Sequence, residues 1–208
     1  MPVDTAPRPA VDVRSALKSA MARLREAGAP SHTLAAELLL MHALGRDRTW
    51  LYTNPEAPLS PQESEKFLAL IARRAAGEPT QYLTGKQEFW GLEFEVTPAV
   101  LIPRPETEHV VEVALERLGE RGIKINLATG GPSPTLRIAD IGTGSGCIAV
   151  ALAHELPHAE VIATDISAPA LEVARRNAAR HHVADRIEFL EADLLSAVRS
   201  PLGTRHWI

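Results

Sequence analysis

The sequence predicts an α/β protein: a small all-helical unit, then a β-hairpin, then the opening strands of a parallel sheet. Three observations carry this. Residues 11–77 hold successive helical stretches closed by glycines, "EFWGLEFEV" alternates apolar and acidic side chains, and strand and helix patterns alternate from Leu136 onward. Strands alternating with helices imply parallel pairing through right-handed crossovers.

The totals agree with an ordinary globular chain of one or two domains: 208 residues, 45% hydrophobic and 23% charged. A net charge of −4 argues against a protein that coats nucleic acid electrostatically. The single cysteine, Cys147, excludes an internal disulfide and fits a reducing compartment. No apolar run approaches the ~18–20 residues a membrane helix needs. The start, "MPVDTAPRPAVDV", lacks the basic end and apolar run of a signal peptide, so the cytoplasm is the expected location.

Residues 1–10 read as a proline-rich disordered tail. A first helix over 11–27 aligns Val13, Leu17, Met21 and Leu24, with Gly28 placed to end it. In "SHTLAAELLLMHALG", Ser31 is the expected cap, Leu34, Leu38 and Met41 the expected inward face, and Gly45 the stop. Trp50 and Tyr52 are expected to fill a small core. "SPQESEKFLALIARRAAG" has capping-box spacing at Ser60 and Glu63, with Pro61 at the first helical position and Gly77 at the close. In the hairpin, Leu92, Phe94 and Val96 face inward and the chain turns near Gly91. Pro105 and Thr107 mark the start of a helix expected to bury Val110, Val113, Ala114 and Leu118, and "GERGIKINLATGGPSPT" reads as a loop. The domains expected are thus a helical one at 11–77, a hairpin linker at 78–108, and a sheet domain from 109 to 208.

The chemistry centres on "RIADIGTGSGCIAVAL", a strand, a glycine-rich turn and a helix. A P-loop ends Gly-Lys-Ser/Thr, whereas Gly146 is followed by Cys147. A dinucleotide turn spaces its glycines G-x-G-x-x-G, and its third position would fall on Cys147. Asp140, two residues before Gly142, would also meet a pyrophosphate with like charge. S-adenosylmethionine has no phosphate and carries a sulfonium and an ammonium, which an acid at that position favours. Asp165, at the end of the second strand, can accept both ribose hydroxyls, and Asp193, at the end of the third, can meet the adenine amino group. A bare strand-to-helix connection would need none of these acids. Cys147 is expected to be packed core, His181 and His182 solvated charge at a helix end, and the eight histidines show no zinc spacing. No metal is expected.

"GEPTQYLTGKQEFWGLEFEVTPAVLIPRPETE" followed by "IADIGTGSGCIAVALA" resembles the release-factor glutamine methyltransferases. The resemblance implies a helical N-terminal domain that recognises peptide-chain release factors, a hairpin linker, and a Rossmann-like class I methyltransferase sheet of which strands 1–3 are present. It implies transfer of a methyl group from S-adenosylmethionine to the side-chain amide of the glutamine in the release factor's GGQ loop, in a protein that is monomeric at full length and binds neither nucleic acid nor membrane. Carried over by position, Asp140, Gly142, Thr143, Gly144, Ser145, Gly146, Asp165, Asp193 and Leu194 line the cofactor, and Arg104, Pro105, Thr107 and Glu108 lie near the substrate. The family grips its acceptor glutamine with Asn-Pro-Pro-Tyr at the end of a fourth strand, a motif absent from these 208 residues. No catalytic residue is therefore assigned, and the first strand is expected to present an uncovered edge. The expectation is cofactor binding without turnover, with a non-catalytic fragment that binds release factor or cofactor as the alternative.

Overall fold

A computed structural model describes residues 11–120 and 136–194. The expected tail at 1–10, most of the loop expected at 119–135 and the last residues from 195 lie outside the described residues. The chain divides into two compact units between Thr84 and Gly85.

The first unit is built from α1 (Val13–Glu26), α2 (His32–Leu44), α3 (Arg48–Thr53), α4 (Pro61–Ala75) and α5 (Thr80–Thr84). Short-range capping sets most helix ends. Asp12 accepts from the Ser15 N–H at 2.7 Å, and Asp47 accepts from the Trp50 N–H at 2.7 Å. Ser60 and Glu63 form the full capping box, with the Ser60 N–H donating to Glu63 at 2.8 Å and the Glu63 N–H to Ser60 Oγ at 3.2 Å. Leu24, Leu39, Leu40, Leu51, Phe67 and Ile71 form the centre of the core.

Three expectations in this unit are corrected. Ser31 does not cap α2: at φ +50° it is left-handed, whereas a capping side chain needs an extended residue. Helix α2 is apolar nearly all round, so periodicity did not define its face; Ala35, Ala36, Leu39, Leu40 and Ala43 turn inward and Leu34 and Leu38 are exposed. On α3 the core residue is Leu51, between the two aromatics. Trp50 is half-buried and packs against this core, as expected, whereas Tyr52 lies 60% exposed with its hydroxyl donating to the buried carboxylate of Glu37. Arg48 Nη2 stands 2.9 Å from the other Glu37 oxygen, so this interior acid has a charged partner.

The second unit begins with an antiparallel hairpin, β1 (Lys86–Phe89) and β2 (Leu92–Glu95), closed by Trp90 and Gly91, both at positive φ. A short 3-10 turn at Pro105–Thr107 leads into α6 (Glu108–Glu120). Then come β3 (Arg137–Ile141), α7 (Cys147–Glu155), β4 (Glu160–Asp165), α8 (Ala168–Arg180) and β5 (Ile187–Glu191). The sheet is parallel in the order β3-β4-β5, so β3 is an edge among the described residues. On α6 the inward stripe is Val111 and Leu118, with Ala114 and Leu115 half-buried, and Val110 is 54% exposed; the expected stripe was one residue out of phase at its start.

The hairpin packs as part of this unit's core. Phe89 and Phe94 are fully buried with Val111, Leu118, Ala149 and Val150, their rings edge to face at 6.1 Å. The Trp90 N–H donates to Glu108 at 3.0 Å and its indole N–H to Glu155 at 2.9 Å. Arg176 of α8 holds Glu95 bidentately through its Nε and Nη2, at 3.0 and 2.8 Å. His181 corrects the expectation of a solvated pair: its Nε2 lies 2.9 Å from the Glu93 carbonyl oxygen, and its ring packs against Phe94.

Candidate functional site

The turn after β3 has a shape only glycine tolerates at low strain. Gly142, Gly144 and Gly146 all sit at positive φ, at +76°, +56° and +79°. Their surroundings differ. A Cβ on Gly142 would meet nothing within 4 Å, and one on Gly144 would meet only a backbone oxygen at 4.0 Å. At Gly146 a Cβ would stand 3.0 Å from the Ala174 Cβ, so this glycine lets α7 and α8 approach. The first two glycines bare the turn; the third is a packing residue.

Backbone bonds tie the turn to the middle strand. The N–H groups of Gly142 and Thr143 both donate to the Thr164 carbonyl at 2.8 Å. Asp140 is buried, and its Oδ2 accepts from Thr143 Oγ1 at 2.7 Å and from the Ala149 N–H at 3.2 Å. Ala149 is the third residue of α7, whose N-cap Gly146 has no side chain to offer. Asp140 therefore supplies the missing cap from the neighbouring strand. Burial pushes its carboxyl above the usual aspartate range, against the pull of those two hydrogen bonds.

Asp165 closes the other side. Its Oδ2 accepts from the Gly144 N–H at 2.9 Å and its Oδ1 from the Ser167 N–H at 2.9 Å. An ionised carboxylate has about four acceptor positions, so each oxygen can take a further donor. Two hydrogen-bonded pairs, Asp140 with Thr143 and Gly144 with Asp165, thus meet at adjacent residues of the turn, at the carboxyl ends of β3 and β4. Asp193 stands apart, exposed and two residues beyond β5, followed by Leu194, 68% exposed. Ser145 is buried, with its carbonyl accepting from Asn177.

The residues expected near a substrate form the 3-10 turn before α6. Arg104 and Pro105 are exposed, and the Thr107 N–H donates to the Arg104 carbonyl at 2.9 Å. Glu108 holds the hairpin turn through the Trp90 N–H, a structural task its sequence position did not reveal. Cys147 is packed core, its thiol pushed up to about 11 by burial.

Two residues at this site escaped the sequence reading. Ile166, next to Asp165, is 72% exposed, and an isoleucine directly after a strand-terminal acid was the available signal. Asn177 is fully buried within α8, and nothing in the sequence marks it out. Among the described residues there is no group of three potential metal ligands, and no helix is long and apolar enough to cross a membrane.

Residues 15–85 match the model of the PrmC N-terminal domain, and residues 126–202 match that of the methyltransferase small domain. The chain is 48% identical over 186 residues to a release factor glutamine methyltransferase of Koribacter versatilis (strain Ellin345), covering 89% of this chain and 61% of that relative. A release factor glutamine methyltransferase of Chlorobaculum tepidum is 50% identical over 181 residues, 87% of this chain and 59% of its own. Among solved structures, a ribosomal protein L11 methylase from Lactobacillus delbrueckii subsp. bulgaricus aligns over 46% of this chain and 42% of its own, at 32% identity and a TM-score of 0.34. The chain spans about three fifths of the length of the curated relatives it matches. Over nearly nine tenths of its length the chain is similar to release factor glutamine methyltransferases, and its two domain matches fall on the helical unit and on the sheet unit.

Proposed function

We propose that the chain binds S-adenosylmethionine at the turn from Gly142 to Gly146 and serves transfer of its methyl group to the side-chain amide of a release-factor glutamine. The observation that carries the cofactor reading is the Asp140–Thr143–Gly144–Asp165 cluster around two glycines open to solvent. Two carboxylates beside bare backbone suit a ligand with cationic groups and ribose hydroxyls, and repel a pyrophosphate.

The residues then divide the work. Gly142 and Gly144 let the ligand's methionine end approach the backbone. Asp140 shapes the turn and caps α7 from within, its charge close behind that contact. Asp165 uses its remaining acceptor positions for the ribose hydroxyls. Ile166 and Leu194, apolar and exposed, flank the base, with Asp193 as acceptor for its amino group. The cofactor supplies an electrophilic methyl on a sulfonium. A carboxamide nitrogen is a weak nucleophile because its lone pair is delocalised, so the acceptor must be held in line and its N–H groups engaged. Release-factor docking falls to the helical unit. There, a groove of about 730 Å³ has an apolar floor at Leu17, Met21 and Leu51 and basic residues Arg14, Lys18 and Arg25 around it.

A second reading, binding of cofactor and release factor without turnover, is favoured by the absence of Asn-Pro-Pro-Tyr from the 208 residues. Incubating the chain with a release factor and methyl-labelled S-adenosylmethionine separates the two. Retention of label on the chain without transfer supports the second reading. Label on the release-factor glutamine supports transfer by these residues alone, and no retention at all removes both.

A further inference from the structure

Asn177 lies in the middle of α8 with no exposed surface, and all its polar capacity is directed at two other segments. Its Oδ1 accepts from the Glu95 N–H at 2.7 Å. Its Nδ2 donates to the Glu95 carbonyl at 3.0 Å and to the Ser145 carbonyl at 2.9 Å. The amide orientation is fixed by chemistry, since its oxygen faces a donor and its nitrogen faces two acceptors. The Val96 N–H donates back to Gly85 at 3.0 Å, so the N–H and C=O of Glu95 point away from β1. Asn177 pairs with that outer edge as a strand would, and with its second N–H holds the glycine turn.

One helical turn earlier, Ala174 packs against Gly146. Helix α8 therefore grips the turn at two points and the hairpin at the same place. Glycine backbone is intrinsically permissive, so the turn depends on its restraints, and α8 adds one to those from Thr164 and Asp165.

We infer that Asn177 is a positioning residue that couples docking of the hairpin to the shape of the glycine turn, and through it to cofactor affinity. This rests on the reading that the turn binds S-adenosylmethionine. Asn177→Asp tests it: the isostere still accepts from the Glu95 N–H but can donate neither to the Glu95 carbonyl nor to Ser145. Leu171→Val, elsewhere in α8's buried face, is the control for general loss of packing. Amide hydrogen exchange of the ligand-free chain and titration with S-adenosylhomocysteine are the two readouts.

Asn177→Asp is expected to speed exchange in the turn segment and to weaken binding about tenfold or more, the loss expected from one buried hydrogen bond to an ordered turn. Leu171→Val, at equal or larger loss of Tm, is expected to keep binding within about twofold. Unchanged exchange in Asn177→Asp, or equal weakening by both variants, overturns the inference. Should Asn177→Asp not fold, Asn177→Ser, which removes the amide without adding charge, is read by the same two measurements. Failure of the unaltered chain to bind S-adenosylhomocysteine removes the cofactor reading, and the exchange data still decide the coupling.

Discussion

Each of the two units is held together internally by bonds of a different reach. In the helical unit the bonds that define helix ends span three residues: Asp12 to Ser15, Asp47 to Trp50, Ser60 to Glu63. In the sheet unit the decisive bonds are distant in sequence. Asn177 reaches Glu95 across 82 positions and Ser145 across 32, and Asp165 reaches Gly144 across 21. Local bonds form elements; distant ones form a site. Loss of one cap is therefore expected to leave the helical unit's architecture in place, whereas loss of the Asn177 or Asp165 contact is expected to disturb the turn.

Substitutions graded by size can break that contrast. The largest effect is expected at Phe67, 2% exposed in the helical core, where Phe67→Ala costs about 3–5 kcal/mol and urea unfolding reads it in the helical unit. Next comes Gly146→Ala, which combines a positive φ with the Ala174 contact and costs about 2–4 kcal/mol. Gly144→Ala has the same kind of strain without the contact and costs about 1–2 kcal/mol. Equal costs at the two glycines would mean that Gly146 is not a packing residue.

The same distinction explains what the sequence made legible. The capping box, the hairpin turn, all five strands' neighbourhoods and the acids Asp140 and Asp165 follow from local pattern, so they could be read directly. The inward faces of α2 and α6 could not. The first is apolar all round, and the second has valines at 110, 111 and 113, so more than one stripe fits its pattern. Tyr52 and His181 were misread for a related reason: a side chain's environment depends on segments far along the chain. Asn177 is the extreme case, a mid-helix asparagine whose partners appear only once the hairpin is docked.

Smaller effects sharpen the comparison. Ser60→Ala removes one half of a capping box and is expected to cost about 1 kcal/mol, measured by urea unfolding. Two acids of the sheet unit, Glu95 and Asp140, give opposite pH signatures. Arg176 holds Glu95 below the usual glutamate range, so its contribution is present above that range and is lost as pH falls through the lowered value. Burial holds Asp140 above its usual range, so its contribution is present at low pH and is lost as pH rises through the raised value. Stability measured from acid to neutral pH should therefore move in favour of the native chain over Glu95→Gln, and in favour of Asp140→Asn over the native chain. The same direction for both would contradict these assignments. Cys147, buried and with its thiol raised to about 11, should resist alkylation in the native state and react only after unfolding, which mass spectrometry reads directly.

The central claim is that Asp165 and the glycine turn form a binding site for S-adenosylmethionine. Calorimetric titration of S-adenosylhomocysteine into the chain and into Asp165→Asn tests it. Saturable one-to-one binding to the chain is expected, with a loss in the variant of about 1.5–3 kcal/mol, roughly tenfold to a hundredfold in Kd. Equal affinity in both proteins, or a nicotinamide dinucleotide bound in preference, would contradict it.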